Sequence, residues 1–175
     1  MLLSSHLPNR LPPPILHSNG SVFSEGAARA ILVHLSEDIG VREQGMTTNE
    51  IDTPNFLVET IRSMQALAQN NGWRLDVEVE TASGALDYYF VHTQFTNVYN
   101  NLTNVVVSLS PEEVSPDHPA FLLGAHYDSA FRSPGASDDG VPVVVILETI
   151  RCLVSQKANR YRNRLIAVLN GAEES

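Results

Sequence analysis

The sequence has a single cysteine and few basic residues, and each scarcity excludes a class of protein. Cys152 has no partner for an internal disulfide, and we expect it to be a small apolar residue at the end of a helix. Eleven Lys and Arg residues against 20 Asp and Glu residues give a net charge of −9. That balance argues against a nucleic-acid-binding protein, which needs a basic face. It does not identify an acidic site, because acids on solvated helices give the same total.

Long apolar runs are missing as well. No stretch of about 18 apolar residues exists, and no apolar segment follows a basic start, so neither a membrane span nor a signal peptide is predicted. Residues 1–22 contain Pro8 and three consecutive prolines at 12–14, which favours a flexible, proline-rich arm. The hydrophobic content of 43% and charged content of 18% are typical of a globular protein, and we assign residues 23–175 to one domain.

Residues 24–72 predict two helices. In the first, apolar residues recur at three- and four-residue spacing before the stop signal Gly40: Ala28, Ile31, Leu32, Leu35 and Ile39. The second opens at Thr53-Pro54, which places a cap and then proline at the first helical position, and it closes at Gly72. Its expected buried stripe consists of Leu57, Ile61, Met64, Leu67 and Ala68.

The next segments predict strands. Residues 73–80 alternate strictly between apolar and polar side chains, as in a strand with one buried and one wet face. Residues 88–95 indicate a second, less regular strand, and residues 103–109 a third. Two helices, an alternating strand, and then strand, helix and strand together favour an α/β fold with a mixed sheet.

A short apolar run, residues 121–125, leads directly into His126 and Asp128. Residues two apart on a strand share a face, so both side chains can point at one site. In such a pair the histidine is a natural metal ligand. The aspartate is the carboxylate that fixes the imidazole tautomer.

Asp138 and Asp139 precede another apolar run, residues 141–153, which has the length of a helix. One interpretation is that these acids only complement the positive end of the helix dipole. The other is that one of them bridges two cations, because a carboxylate has two oxygens to offer. The pattern alone leaves both interpretations open.

Residues 164–170 form a continuous apolar run followed by Glu173 and Glu174. Such runs are typical of strands buried on both faces of a parallel sheet, and open α/β sheets bind ligands at the carboxyl ends of their strands. One of the two glutamates can then be a metal ligand and the other a general base, since these roles need different orientations.

Three motifs in this order resemble the M28 family of zinc aminopeptidases, and within it the endoplasmic reticulum metallopeptidase 1 group. They are His-x-Asp-Ser at 126–129, Ser-Pro-Gly-Ala-x-Asp-Asp-Gly at 133–140 and Asn-Gly-Ala-Glu-Glu at 170–174. The resemblance implies a mixed, mainly parallel sheet flanked by helices, of the zinc-exopeptidase, phosphorylase/hydrolase-like kind. Residues 23–175 would be the N-terminal part of that domain.

The resemblance also assigns roles around two zinc ions. It makes His126, Asp138 and Glu174 metal ligands, with Asp138 as the bridge. Glu173 becomes the general base and Asp128 the carboxylate that orients His126. Asp139 is left outside the ligand set.

In that family the remaining Asp and His ligands follow the Glu-Glu pair. We therefore expect a chain truncated at its C-terminus, which binds zinc poorly, does not hydrolyse peptides and is marginally stable. The strand at residues 164–170 is expected to be an unpaired sheet edge.

The resemblance further implies a peptide substrate and a location in the lumen of the endoplasmic reticulum. Membrane association would come only from segments outside this chain, and nothing in the sequence predicts the oligomeric state. The sequon at Asn101 agrees with a luminal location.

Two alternatives remain open. Glutaminyl cyclases, which are zinc acyltransferases, share the expected fold, a similar His-Tyr-Asp-Ser motif and the Val141-Pro142 pair. A non-catalytic member of the family could instead use the fold for binding or scaffolding.

Overall fold

The computed structural model describes residue 15 and residues 20–174, without the side chains of Tyr88 and Phe90. Most of the predicted proline-rich arm at residues 1–22 lies outside these residues. Within the described part, no helix is both long and apolar enough to cross a membrane.

Four strands form one mixed sheet in the order β1-β2-β4-β3. The strands are β1 Trp73–Phe90, β2 Thr93–Pro111, β3 Ala120–His126 and β4 Arg164–Asn170. β1 pairs with β2 and β2 with β4 in antiparallel fashion, and β3 pairs with β4 in parallel. The predicted α/β fold with a mixed sheet flanked by helices is confirmed. One of the three pairings in this part of the chain is parallel, where the resemblance implies a mainly parallel sheet.

The position of β4 differs from the prediction. β4 was expected to be an unpaired edge, but it lies between β2 and β3 and bonds to both. The chain leaves β3, passes through α4 (Val141–Val154) and returns to the sheet on the side of the β1–β2 hairpin. β4 therefore pairs with β2. The edge strand of the described sheet on this side is β3, where Phe121 and Leu122 are 64% and 69% exposed.

The helices of the first segment follow the predicted pattern only in part. The first helix is longer than its α-helical part, and the second begins before Thr53 and is divided at Met64. Leu67, expected in the buried stripe, is 42% exposed, because the division turns it towards solvent. α1 spans Glu25–Val33, continues as a π-helical turn at His34–Ile39 and ends at Gly40, whose φ of 80° suits glycine. A further π-helical turn, Thr48–Asp52, leads without a break into α2, Thr53–Ser63, and α3 covers Gln65–Asn70. Thr53 is thus inside the helical segment. Its hydroxyl bonds to the carbonyl of Thr48 and caps no helix.

The core lies on one face of the sheet. Alternate residues of β2, namely Val105, Val107 and Leu109, are fully buried, while the residues between them are partly exposed. They belong to one cluster with residues of α2 and α4: Leu57, Val58, Ile61, Val143, Ile146, Leu147 and Ile150. The helices that cover this face therefore hold the strands, and with them the strand ends, in place.

The hairpin of β1 and β2 continues well past the rest of the sheet. β2 begins to pair with β4 only at Asn104, opposite Asn170, so residues 81–102 project beyond the sheet as a two-stranded ribbon. The strand predicted at residues 88–95 is interrupted by the turn of this hairpin. Val91 and His92 occupy that turn with φ of 45° and 71°. Residues 88–95 contain no Gly, Pro, Asn or Asp, so no turn residue in the sequence marks the reversal of the chain.

Candidate metal centre

The functional residues predicted from the sequence meet where β3 and β4 end. These strands are parallel, and His126 at the end of β3 lies opposite Asn170 at the end of β4. The amide of Tyr127 donates to the carbonyl of Asn170 over 2.7 Å, which joins the loops that follow the two strands. The carboxyl edge of a parallel pair thus brings residues 126–128 beside residues 171–174.

His126 is the centre of the cluster and is almost completely buried. Its Nδ1 lies 3.2 Å from Oδ1 of Asp128, whose side chain is 1% exposed. On the other side of the ring, Nε2 lies 3.2 Å from Oδ1 of Asp138 and 3.8 Å from Oε2 of Glu173. A proton on Nδ1, facing Asp128, leaves the lone pair of Nε2 directed at the two exposed carboxylates.

The pKa of His126 reflects this environment. Burial by itself would lower the pKa, but the negative charges of Asp128, Asp139 and Glu173 and the contact with Asp138 outweigh it. The pKa of His126 is therefore raised above its usual value of 6.5. Without a metal ion, the cluster favours a positive charge at the imidazole.

Asp138 and Asp139 belong to a tight turn, Ala136–Gly140, that precedes α4. Both residues have non-helical backbone angles, and the peptide bond between them is cis. Asp138 points to Nε2 of His126, and Oδ2 of Asp139 accepts the backbone amide of His126 over 3.2 Å. Asp139, which the sequence interpretation left outside the ligand set, thus lies in the cluster as well. No pattern in the sequence indicated that Asp139, as well as Asp138, would contact His126.

The loop of Glu173 and Glu174 is held in place by side chains that bond to its backbone groups. The amide of Glu174 donates to Oδ2 of Asp128 over 2.8 Å. Asn49, which is fully buried, donates from Nδ2 to the carbonyl of Gly171 over 2.8 Å. Asn49 could not be predicted from the sequence, because an asparagine before the second helix belongs to no distinguishing pattern. Asp128 therefore contacts both the histidine and the glutamate loop.

Two groups of side chains in the described part of the chain lie close enough together to hold a metal ion. One consists of His126, Asp138 and Asp139, and the other of His126, Glu173 and Glu174. Within each group the possible ligand atoms lie within 4.8 Å of one another. Imidazole nitrogen and carboxylate oxygens are donors that zinc accepts in proteins. The buried Oδ1 of Asp128 has no hydrogen bond in the described structure, and its closeness to Nδ1 fits the carboxylate that orients a metal-binding histidine.

Comparison with known proteins gives two kinds of match. The sequence profile of Peptidase family M28 matches residues 104–175. Endoplasmic reticulum metallopeptidase 1 of Mus musculus is 37% identical over 153 residues, which are 87% of this chain and 16% of the relative. The chain therefore spans about a sixth of the length of that relative.

Two solved structures share the fold. The LapA aminopeptidase of Legionella pneumophila superimposes with a TM-score of 0.65 at 22% identity, over 87% of this chain and 36% of that one. BSAP, a zinc aminopeptidase from Bacillus subtilis, gives a TM-score of 0.61 at 16% identity, over 88% of this chain and 63% of that one. At these identities the likeness concerns the fold.

Proposed function

Because the chain belongs to peptidase family M28, we propose that the cluster around His126 is part of a two-zinc site that hydrolyses N-terminal peptide bonds. The observation that carries the proposal is the convergence on one imidazole nitrogen. Nε2 of His126 lies within 3.8 Å of carboxylate oxygens from two separate segments, Asp138 before α4 and Glu173 after β4. A cluster of acids around a histidine at a sheet edge has the donors that zinc requires.

In this proposal His126, Asp138 and Glu174 would hold the zinc ions, and Asp138 would offer a ligand oxygen to each. Asp139 lies close enough to Asp138 and His126 to share in binding one ion. When bound, zinc lowers the pKa of a water molecule and polarises the scissile carbonyl. The other roles belong to residues of the chain.

Glu173 is proposed as the general base. Its side chain is 60% exposed and reaches to 3.8 Å from Nε2 of His126, so it is open to solvent yet directed at the cluster. It would accept the proton of the attacking water and later return it to the leaving amine. Asp128 would hold the proton on Nδ1 of His126 and, through the amide of Glu174, fix the loop that carries the base.

The proposal includes weak zinc binding and no peptide turnover by these 175 residues alone. With the proposed roles, one ion would have His126 and Asp138, joined at most by Asp139, and the other would have only Asp138 and Glu174. A catalytic zinc usually has three protein ligands. Peptidase activity of a whole protein of this family, on a peptide with a free N-terminus, is part of the same proposal.

The location proposed for the protein is the lumen of the endoplasmic reticulum, the compartment that names the matched relative. Asn101 of the Asn-Leu-Thr sequon is exposed on the projecting hairpin and is accessible for a glycan. Expression with a secretory leader tests whether Asn101 can carry a glycan. The expected result is a mass shift that endoglycosidase treatment and Asn101→Gln both remove.

Zinc titration of the purified chain tests the site. Asp138→Asn is expected to weaken zinc binding by at least about tenfold, since it removes a charged ligand. The matched control is Asp117→Asn, which makes the same charge change in an exposed turn before β3, at the opposite end of that strand from His126. Equal affinities of Asp138→Asn and the parent chain would refute the proposed site.

The second measurement is a peptidase assay with zinc, using substrates with a free and with an acetylated N-terminus. No turnover of either is expected. Turnover of the free substrate that Glu173→Gln abolishes would refute inactivity of the chain while supporting the role of Glu173. Turnover that persists in Glu173→Gln would count against the proposed base.

A further inference from the structure

Arg42 is the largest fully buried side chain of the described structure, and it makes no close ion pair there with a carboxylate. A buried cation is costly unless its donors are satisfied. Here the guanidinium is satisfied by backbone carbonyl oxygens alone. They belong to Leu35, Gly40, Tyr127, Pro134 and Gly135, at distances of 2.6–3.2 Å.

Three of these carbonyls lie in the segment that carries the proposed ligands. The carbonyl oxygen of Tyr127 accepts a hydrogen bond from Nε of Arg42 over 2.6 Å, and Tyr127 lies between His126 and Asp128. Pro134 and Gly135 stand just before the turn that contains Asp138. Arg42 therefore ties the end of β3 to the beginning of the Asp138 turn across the loop that separates them.

The bond to Gly135 has a second consequence. The same carbonyl oxygen accepts the amide of Gly140 over 3.0 Å and so closes the turn that holds Asp138 and Asp139. One donor of Arg42 and one amide of the turn thus converge on a single oxygen. Loss of the guanidinium would therefore remove one of the two hydrogen bonds at the oxygen that closes the turn.

The backbone of Arg42 reinforces the contact. Its amide donates to Oγ of Ser129 over 2.9 Å, and its carbonyl accepts the amide of Ser129 over 3.0 Å. Ser129 directly follows Asp128. The loop after β3 is therefore held from both the side chain and the main chain of one residue.

The charge of Arg42 also acts on the site. Burial lowers the pKa of Arg42, and the negative charge of Asp128 opposes that shift. The same attraction acts on Asp128, whose Oδ1 faces Nδ1 of His126. No carboxylate competes for the guanidinium at hydrogen-bond distance among the described residues.

From these contacts we infer that Arg42 is a positioning residue of the metal site, and this inference rests on the function proposed above. Arg42 lies outside the segment that matches the family profile, which begins at residue 104. It touches none of the reacting groups. It sets the spacing between His126 and Asp138 by holding the backbone on both sides of their connecting loop.

Arg42→Lys is the variant that tests the inference. Lysine keeps the charge, but its three N–H donors share one nitrogen, so it cannot bond to all five carbonyls that the guanidinium reaches. We expect the zinc affinity of the 175-residue chain to fall by about 10–100-fold, the range typical of residues that orient metal ligands. Amide hydrogen exchange is expected to accelerate at residues 127–140 and to stay unchanged in the centre of β2.

The matched control is Arg151→Lys. Arg151 also bonds to backbone carbonyls, those of Gly20 and Val22, and it pairs with Glu148, but it belongs to another part of the fold. It is expected to lower the melting temperature and to leave zinc affinity within about twofold of the parent. If Arg42 had only a structural role, Arg42→Lys would behave like Arg151→Lys, with a lower melting temperature and an unchanged zinc affinity.

The outcomes separate the inference from the proposed function. A folded Arg42→Lys chain that binds zinc as tightly as the parent overturns the inference, while loss of binding in Asp138→Asn would still support the metal site. A parent chain that binds no zinc refutes the site and the role of Arg42 together. If Arg42→Lys does not fold, Ser129→Ala decides, because it removes only the acceptor of the Arg42 amide. Unchanged zinc affinity in Ser129→Ala then overturns the inference, and a loss of about threefold or more supports it.

Discussion

Nε2 of His126 and Oδ1 of Asp138 are 3.2 Å apart although twelve residues separate them in the chain. The loop between them folds back on the end of β3, and it does so around the guanidinium of Arg42. The imidazole consequently has a carboxylate on each side, Asp128 at Nδ1 and Asp138 at Nε2. This geometry determines how the metal-free chain responds to pH.

We predict that the stability of the metal-free chain falls as pH rises through the region above 6.5. The folded-state pKa of His126 is raised above its unfolded value, so the folded chain binds the proton more tightly. That contribution is fully present below the unfolded pKa and is lost as pH rises through the folded pKa. Urea unfolding in the presence of a chelator, repeated across pH, measures it.

The control for this prediction is His126→Gln, which removes the titrating group. Its stability should lack the fall above pH 6.5. The plot of its stability against pH is compared with that of His34→Gln, which makes the same change at a half-exposed histidine that pairs with Asp38 on the surface. Parallel curves for the parent chain and His126→Gln would contradict the prediction.

Gly171→Ala is predicted to destabilise the chain by about 1–3 kcal/mol or more, the cost of overpacking a closed site. A Cβ atom there would lie 2.5 Å from the carbonyl oxygen of Thr103 and would collide with the hydroxyl of Tyr127. Those two groups are themselves joined by a hydrogen bond of 2.6 Å. The substitution must also displace the loop of Glu173, so zinc affinity should fall with stability.

Gly124→Ala is the matched control, since nothing lies within 4 Å of the added Cβ on β3. Its free energy of unfolding should stay within about 0.5 kcal/mol of the parent. Chemical unfolding of both variants decides the matter. If Gly171→Ala were as stable as Gly124→Ala, the prediction would be wrong, because Thr103 and Tyr127 would then move aside without loss of stability.

Glu148→Gln is predicted to destabilise the fold by about 1–3 kcal/mol, because it leaves the cation of Arg151 unbalanced. Glu148 is 1% exposed on α4, and its Oε1 accepts both the amide of Ser24 and a donor of Arg151 at 2.5 Å. Arg151 is about a quarter exposed and regains some water, which keeps the cost moderate. Glu59→Gln on the exposed face of α2 is the control, expected within about 0.5 kcal/mol of the parent.

Replacing Val91-His92 by Asn-Gly is predicted to stabilise the hairpin by about 0.5–1 kcal/mol. Both residues have positive φ, 45° and 71°, which a β-branched valine adopts only with strain. Two positive values in a two-residue loop are typical of the turn type that prefers Asn-Gly. Val91→Thr keeps the β-branch and should change little, and equal melting temperatures for all three chains would contradict the prediction.

Those parts of the fold that depend on local pattern could be predicted from the sequence. β4 begins and ends at residues 164 and 170, as its apolar run predicts, and α1 stops at Gly40, where the backbone turns with positive φ. The order of the strands could not be predicted in this way. A continuous apolar run shows that a strand is buried, but it does not show which strand lies beside it.

The proximity of the candidate site residues could be predicted in the same way, whereas their roles are untested. His126, Asp128, Asp138 and Glu173 do come together at one sheet edge, as their positions at segment ends suggested. Asn49 and Arg42 were missed, because each acts on loops about 85 to 122 residues away and neither lies in a motif. Such residues are recognised by what they touch in the folded chain. Their roles, like those of the ligands, stay predictions until zinc binding is measured.

The edge at β3 has a consequence for handling this chain in solution. Among the described residues, one side of β3 has no bonded strand, and Phe121 and Leu122 are exposed on it. Unpaired amide and carbonyl groups beside apolar side chains form a template on which a second molecule can add a strand. At high concentration the chain should therefore associate through β3 before it unfolds, and Leu122→Lys should delay the onset of turbidity.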